Sequence, residues 1–380
     1  MKKIVCIPDS FKGTLSSASV CEIMKEQINK HLPECEVITI PVADGGEGSV
    51  DAFLSALGGE KMLCRVFNPY FEPMESFYGR SGEDIAIIEM AAAAGLPLVA
   101  DRPNPSQTTT YGVGELILDA INHGAQTIIV GLGGSCTNDG GCGAAAACGV
   151  EFFDQNGQSF IPVGKTLKNI TRIDTSKAKQ RLLGIDIITM CDIDNPLYGL
   201  TGAAHVFSPQ KGADSNMVLE LDEGLKHLAS MIQLWCHEDV SELPGGGAAG
   251  GMGAGMVAFF GSTLQMGIET ILDVVKFDTL IQDADLVFTG EGKIDSQTLR
   301  GKVPVGVGRR AKKHNIPVIA IVGAIGEGID LVFDEGISAI HSINPEPIDF
   351  SIAKLHAKEN LSSCMDRVVH SLLLKNKVSS

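Results

Sequence analysis

The chain has little tryptophan, one residue in 380, and only four tyrosines. No stretch approaches the ~18 uninterrupted apolar residues of a membrane-spanning helix, so no membrane span is expected. Positive charge is in deficit: 30 Lys and Arg face 46 Asp and Glu, a net charge of −16. That argues against gripping a nucleic-acid backbone and against an anionic membrane surface. The ten cysteines are scattered, with no CxxC pair, and the nine histidines form no HxH or HExxH. Structural zinc and a redox dithiol are therefore not expected. The start, MKKIVCIPDS, has too short an apolar stretch for a secretory signal. Free thiols in a reducing cytoplasm is the economical reading.

What is abundant is glycine, 44 residues, in a chain that is 44% hydrophobic. That composition fits a loop-rich α/β enzyme with a large core. The first sixty residues read as two βα units: strands at 3–7 and 36–40, helices from Ser16 to about Lys30 and from Ser49 to Leu57. Short strands at 62–67, 75–78 and 85–89, separated by turn residues, read as a mostly antiparallel region. A helix at 114–122, a strand at 127–130, a hairpin around Asn156, a strand at 182–190 and a helix at 216–236 follow. The βα rhythm resumes with a strand at 286–289, a helix at 304–314, strands at 317–322 and 338–343, and a helix over roughly 352–374. The simplest architecture is α/β in two domains. Residues 1–61 and 282–380 would build a doubly wound parallel sheet, and 62–281 an inserted α/β domain carrying the glycine-rich loops. Ligands would then gather at the strand C-termini, facing the insert.

The most informative segment is GLGGSCTNDGGCG at 131–143, after a buried-strand signal and before a small-residue helix. Glycines allow tight turns and bring bare N–H groups close to an anion. Gly133, Gly134, Ser135, Thr137 and Asn138 are candidate phosphate or substrate ligands. The hydroxyls, the amide and the Asp139 carboxylate suit phosphate oxygens and a hydrated Mg²⁺. A tight turn needing glycine only for packing is the plainer alternative. The spacing is neither GxGxxG nor a Walker loop.

Acidic residues follow four predicted strands: PDSFKG at 8–13, ADGGEG at 43–48, DIDNP at 192–196 and GEGKIDS at 290–296. Phosphoryl transfer from ATP needs a base or orienting carboxylate, carboxylates for Mg²⁺, and cations or N–H groups on the moving phosphoryl. Asp192 is the candidate base. Asp44, Asp194 and Asp295 are the candidate metal ligands, and Lys12 and Lys293 the catalytic cations. Ser10 accompanies Lys12, and Lys211 in SPQKG adds a further cation. Thr109 and Thr110 could bind an anion or cap the helix behind them. Any one Asp after a strand is usually a cap; four together are harder to explain that way. The second glycine run, 245–255, reads as a helix start with small residues for close packing, or as a second anion loop.

Together these motifs resemble the type I glycerate kinase family. The matching segments are PDSFKGTLS at 8–16, PVADGGEG at 41–48, IEMAAAAGL at 88–96, TTTYGVGELI at 108–117, the loop at 131–143, CDIDNPLYG at 191–199, FSPQKGA at 207–213, PGGGAAGGMGAG at 244–255 and TGEGKIDSQTLRGKVPVGV at 289–307. They run in family order over essentially the whole chain. Cys136 stands where alanine is usual, and Lys293 where arginine is common. The resemblance implies ATP- and Mg²⁺-dependent phosphorylation of D-glycerate, usually on the 2-hydroxyl. It also implies a flavodoxin-like domain with a restriction-endonuclease-like insert. The sequence is compatible with a monomer or a homodimer. A non-catalytic sensor would need fewer carboxylates, and a dehydrogenase would carry GxGxxG after the first strand instead of PDSFKG.

Overall fold

The run KIVCIP forms a buried strand, β1 (Lys3–Pro8), and the helix behind it, Ser17–His31, is started by Ser16. The Ser16 hydroxyl accepts from Ser19 N at 3.2 Å, supplying one of the partners that a helix start lacks. The computed structural model describes residues 1–42, 48–344, 346 and 349–378. Its further strands are β2 (Glu36–Thr39), β3 (Glu60–Phe67), β4 (Pro73–Ser81), β5 (Ile85–Glu89), β6 (Thr127–Gly131), β7 (Glu151–Phe153), β8 (Ser159–Phe160), β9 (Arg172–Asp174), β10 (Asp186–Met190), β11 (Thr263–Gln265), β12 (Leu286–Ile294), β13 (Val318–Ile325) and β14 (Ile337–Ser342). The α/β class with parallel sheets is borne out. Among the described residues no helix is long and apolar enough to cross a membrane.

Two compact units emerge. The first comprises Met1–Ala43, Ser55–Leu57 and Ile268–Ser380; the second comprises Asp44–Leu54 and Gly58–Gly267. The first holds an all-parallel sheet in the order β2-β1-β12-β13-β14. Numbered within that sheet the order is 2-1-3-4-5, an order found among doubly wound α/β folds, and its strands come from residues 3–39 and 286–342. Helices Ser17–His31 and Ala357–Val378 cover it through Val20, Met24, Ile28, Leu361 and Met365, which pack on Ile4, Cys6, Phe288 and Ile321.

The second unit holds a six-stranded sheet, β11-β10-β6-β5-β4-β3. The β3–β4 and β4–β5 pairs are antiparallel, as the turn-rich sequence predicts, whereas β5, β6, β10 and β11 run parallel. A small antiparallel sheet, β8-β7-β9, contains the predicted hairpin.

Some boundaries differ from the sequence expectation. The strand expected at 182–190 begins at Asp186, because Leu182 N bonds Ala178 O and closes the helix Ser176–Arg181. The strand expected to stop at Thr289 continues as β12 to Ile294. Its glycines permit close strand approach: a Cβ on Gly290 would lie 2.2 Å from Ile321 O. The second glycine run enters a helix, Ala248–Phe260, with three left-handed residues near its start: Ala249 (φ 54), Gly250 (φ 69) and Gly251 (φ 90).

Candidate active site

In the second unit four parallel strands end level: Glu89 pairs Gly131, Gly131 pairs Met190, and Met190 pairs Gln265. The glycine loop leaves β6 there, and Asp192 leaves β10 beside it. The loop is stitched to the segment after β5: Met90 N bonds Gly131 O at 3.0 Å, Leu96 N bonds Gly134 O at 2.9 Å, and Cys136 N bonds Ala94 O at 2.9 Å.

Asp139 shapes the far half of the loop. Its buried carboxylate accepts from Thr110 N (2.8 Å), Thr110 Oγ1 (2.9 Å), Gly141 N (3.1 Å) and Gly143 N (3.2 Å). Burial raises its pKa, and these bonds oppose the rise. Its acceptors are thus engaged by protein, which corrects its reading as a place for hydrated Mg²⁺. Thr110 Oγ1 also accepts from Ala144 N at 2.9 Å, and Thr109 Oγ1 from Tyr111 N at 3.2 Å. Both threonines are fully buried beneath the loop. Gly143 has a packing reason to be glycine, because a Cβ there would meet Thr109 Oγ1 at 2.1 Å.

Lys211 enters from the turn Pro209–Lys211 and is only 2% exposed. Its Nζ donates to Ser135 Oγ and to Thr137 O, each at 2.7 Å. Burial lowers its pKa to about 8. Beside it, Thr137 Oγ1 and both amide atoms of Asn138 are buried without a hydrogen-bond partner among the described residues. Such orphans are rare in native interiors and call for a ligand or water. The left-handed residues pack on the same spot: a Cβ on Gly250 would lie 2.0 Å from Thr137 O, and Gly140 N bonds Gly250 O at 3.1 Å. A non-glycine residue, Ala249, is held at positive φ there, which is strain of the kind that concentrates at functional sites. Gly133 and Gly134 form the outward part of the loop. Asp192 is exposed, with Oδ1 accepting from Gly267 N at 2.8 Å; Asp194 is exposed two residues on.

In the first unit, Ser10 is half-buried and Lys12 exposed after β1. Lys293 Nζ pairs with Asp295 Oδ2 at 3.2 Å. Burial would raise the Asp295 pKa, but Gln297 N and Lys293 hold it low. Glu291 on β12 is 4% exposed and accepts from Thr298 Oγ1 at 2.6 Å. Burial pushes its carboxyl up to about 7, against the Thr298 bond and the Lys302 charge.

A family model described as the glycerate kinase family matches residues 4–373. The chain belongs to the glycerate kinase family. It is 47% identical over 361 residues to the glycerate kinase of Bacillus cereus, which covers 94% of this chain and 95% of that one. It is 44% identical over 343 residues to the glycerate 2-kinase of Escherichia coli, covering 90% of each. A crystal structure of a protein assigned as glycerate kinase 2, from Salmonella typhimurium LT2, superposes with a TM-score of 0.88 at 40% identity, covering 99% of each chain. The protein is accordingly a kinase, a phosphotransferase acting on an alcohol group, and its family implies ATP as the donor.

In this kinase the second unit brings together Gly133, Gly134, Ser135, Thr137, Asn138 and Lys211, with Thr109 and Thr110 as their support. Asp192 and Asp194 follow the neighbouring strand. Ser10, Lys12, Lys293 and Asp295 belong to the first unit. Asp44 lies outside the described residues. Sequence reasoning passed over Glu291. The glycines on either side made it look like a turn residue; its only signal was a carboxylate directly after an apolar strand.

Proposed function

We propose that the chain is an ATP- and Mg²⁺-dependent glycerate 2-kinase, converting D-glycerate and ATP to 2-phosphoglycerate and ADP in organic-acid catabolism. The observation that carries the site is the buried Lys211 ammonium beside the orphaned Thr137 and Asn138 side chains: a desolvated cation with spare hydrogen-bonding groups suits an anion. The name of the Escherichia coli relative supports the 2-hydroxyl as acceptor. Ten free thiols are in keeping with a cytoplasmic enzyme.

In this reading the loop 131–143 receives phosphate oxygens through Ser135, Thr137 and the exposed glycine backbone. Asp192 takes the proton of the acceptor hydroxyl. Lys12 and Lys293 offset charge on the transferred group. Mg²⁺ prefers oxygen donors and commonly takes one or two carboxylates plus substrate phosphates, so the exposed Asp194 fits it. Asp295 is engaged by Lys293 and suits it less. When bound, Mg²⁺ would offset charge on the phosphates.

The test is ³¹P NMR of the product from ATP, Mg²⁺ and D-glycerate, coupled to enolase. Direct consumption by enolase is expected. A strict need for phosphoglycerate mutase would move the reaction to the 3-hydroxyl, and absence of ADP would end the kinase reading for this substrate.

A further inference from the structure

The first sheet reverses its winding between β1 and β12, its topological switch point, where open α/β sheets gather ligands outside the strand C-termini. There Pro8 pairs Gly290, and Asp9 N bonds Gly290 O at 2.8 Å. The next residue along β12 is Glu291. Its Oε1 accepts from the fully buried Thr298 hydroxyl at 2.6 Å, and Lys302 Nζ stands 3.9 Å from Oε2. The same Thr298 oxygen accepts from Asp295 N at 3.2 Å. Asp295 in turn accepts from Gln297 N at 3.0 Å and pairs with Lys293. A continuous set of bonds thus runs from a buried strand carboxyl to the backbone of Asp295. It fixes the turn 295–302, which leads into the helix Val303–Lys313.

We infer that Glu291 is a positioning residue for phosphoryl transfer, holding Asp295 and its partner Lys293 in place through the Thr298 hydroxyl. The inference rests on the kinase reading. Glu291 is buried and bonded within the protein, so it acts through the turn and not on a substrate atom. Thr298 has both hydroxyl functions in use, donating to Glu291 and accepting from Asp295 N. Valine at 298 would remove both bonds at nearly constant volume, and serine would keep both.

The experiment compares full-length wild type with Thr298→Val, Thr298→Ser and Glu291→Ala. It reads kcat and KM for D-glycerate and ATP, and hydrogen exchange of the 295–302 amides at pH 8. Loss of a buried hydrogen bond to a charged group predicts kcat lower by about 10- to 100-fold in Thr298→Val and Glu291→Ala. KM for ATP should stay within about threefold, the pattern of an interaction that matters in the transition state. Thr298→Ser should recover kcat to within about threefold, and 295–302 should exchange faster in Thr298→Val alone of the two threonine variants. Unchanged kcat in Thr298→Val, or a kcat loss that serine does not rescue, overturns the inference. If wild type fails to turn over D-glycerate, the kinase reading fails on its own. The exchange measurement then still decides whether the Thr298 hydroxyl fixes the turn 295–302, and unprotected 295–302 amides in wild type would refute it.

Discussion

Replacing Lys211 with methionine should alter stability in a way that depends on pH, and the structure sets the size of the effect. Burial takes the ammonium from an ordinary pKa of 10.5 to about 8, a difference of 2.5 units. At ~1.36 kcal/mol per unit that is a penalty of roughly 3 kcal/mol on the folded state while the lysine is charged. The folded pKa lies below the unfolded one, so the unfolded chain holds more protons between pH 8 and 10.5. Stability from this group therefore rises with pH through that window, and the penalty is fully present below pH 8. Wild type should gain roughly 2 kcal/mol over Lys211→Met between pH 7 and pH 9.5. At pH 7 the variant should be no less stable, or slightly more so. It loses the bonds to Ser135 and Thr137 O, about 1–3 kcal/mol, but also loses the buried charge. Urea unfolding followed by Trp235 fluorescence reads this directly, because the single tryptophan lies in the helix Ser215–Cys236 of the same unit. A wild-type-minus-variant difference that is flat from pH 7 to 9.5 would refute a desolvated lysine. The ligand side follows from the same number. Near pH 8 the group is about half protonated, so anion binding should draw in about half a proton per ATP. Titration calorimetry in buffers of different ionisation enthalpy should show that uptake in wild type and not in Lys211→Met.

Asp192→Asn should lower kcat by about 100-fold or more with the fold intact by circular dichroism, as expected for a lost base; near-normal kcat would reduce Asp192 to a backbone anchor for Gly267 N. Asp139→Asn replaces acceptor lone pairs with N–H groups facing Thr110, Gly141 and Gly143, and should destabilise by about 2–4 kcal/mol in the same fluorescence assay; a change under about 1 kcal/mol would mean the loop holds without it. Glu291 has a folded pKa of about 7 against an ordinary 4.5, so the folded chain holds more protons in that window and stability is lost as pH rises through it. Glu291→Gln should therefore match wild type at pH 4.5 and exceed it by up to roughly 3 kcal/mol above pH 7.5, and equal stability at both pH values would contradict a buried carboxyl.

Much of the fold is legible because the strands that position the site carry uninterrupted apolar runs: 4–7, 128–130 and 286–288. Where reading failed, the residues carried two messages. Leu182, Leu183 and Ile185 are apolar, yet they lie at the close of the helix Ser176–Arg181, with Leu183 exposed. GEGK has turn composition, yet it runs on in β12. Its glycines let neighbouring strands approach, and a Cβ on Gly323 would sit 2.4 Å from Gly292 O. Glycine reports a missing Cβ, and sequence alone does not say whether a turn or a close neighbour demands it.

The same ambiguity explains the site. In sequence the loop 131–143 poses packing and anion binding as alternatives, and its close packing is compatible with both. Gly143, Gly250 and Gly255 let backbones meet at distances where a Cβ would clash. That close packing buries Thr137 and Asn138 with polar atoms unmatched, while Asp139 takes up the loop N–H groups that would otherwise be free. Lys211 then supplies the charge from a segment more than seventy residues away, Nζ to Ser135 Oγ at 2.7 Å. No local pattern encodes that meeting of 108–110, 131–143 and 209–211. Each segment looks ordinary alone: a threonine cap, a glycine turn, a surface lysine. The chemistry proposed for them rests on their burial against one another: a buried lysine ammonium beside polar side-chain atoms that have no partner among the described residues favours an anion ligand over a plain tight turn.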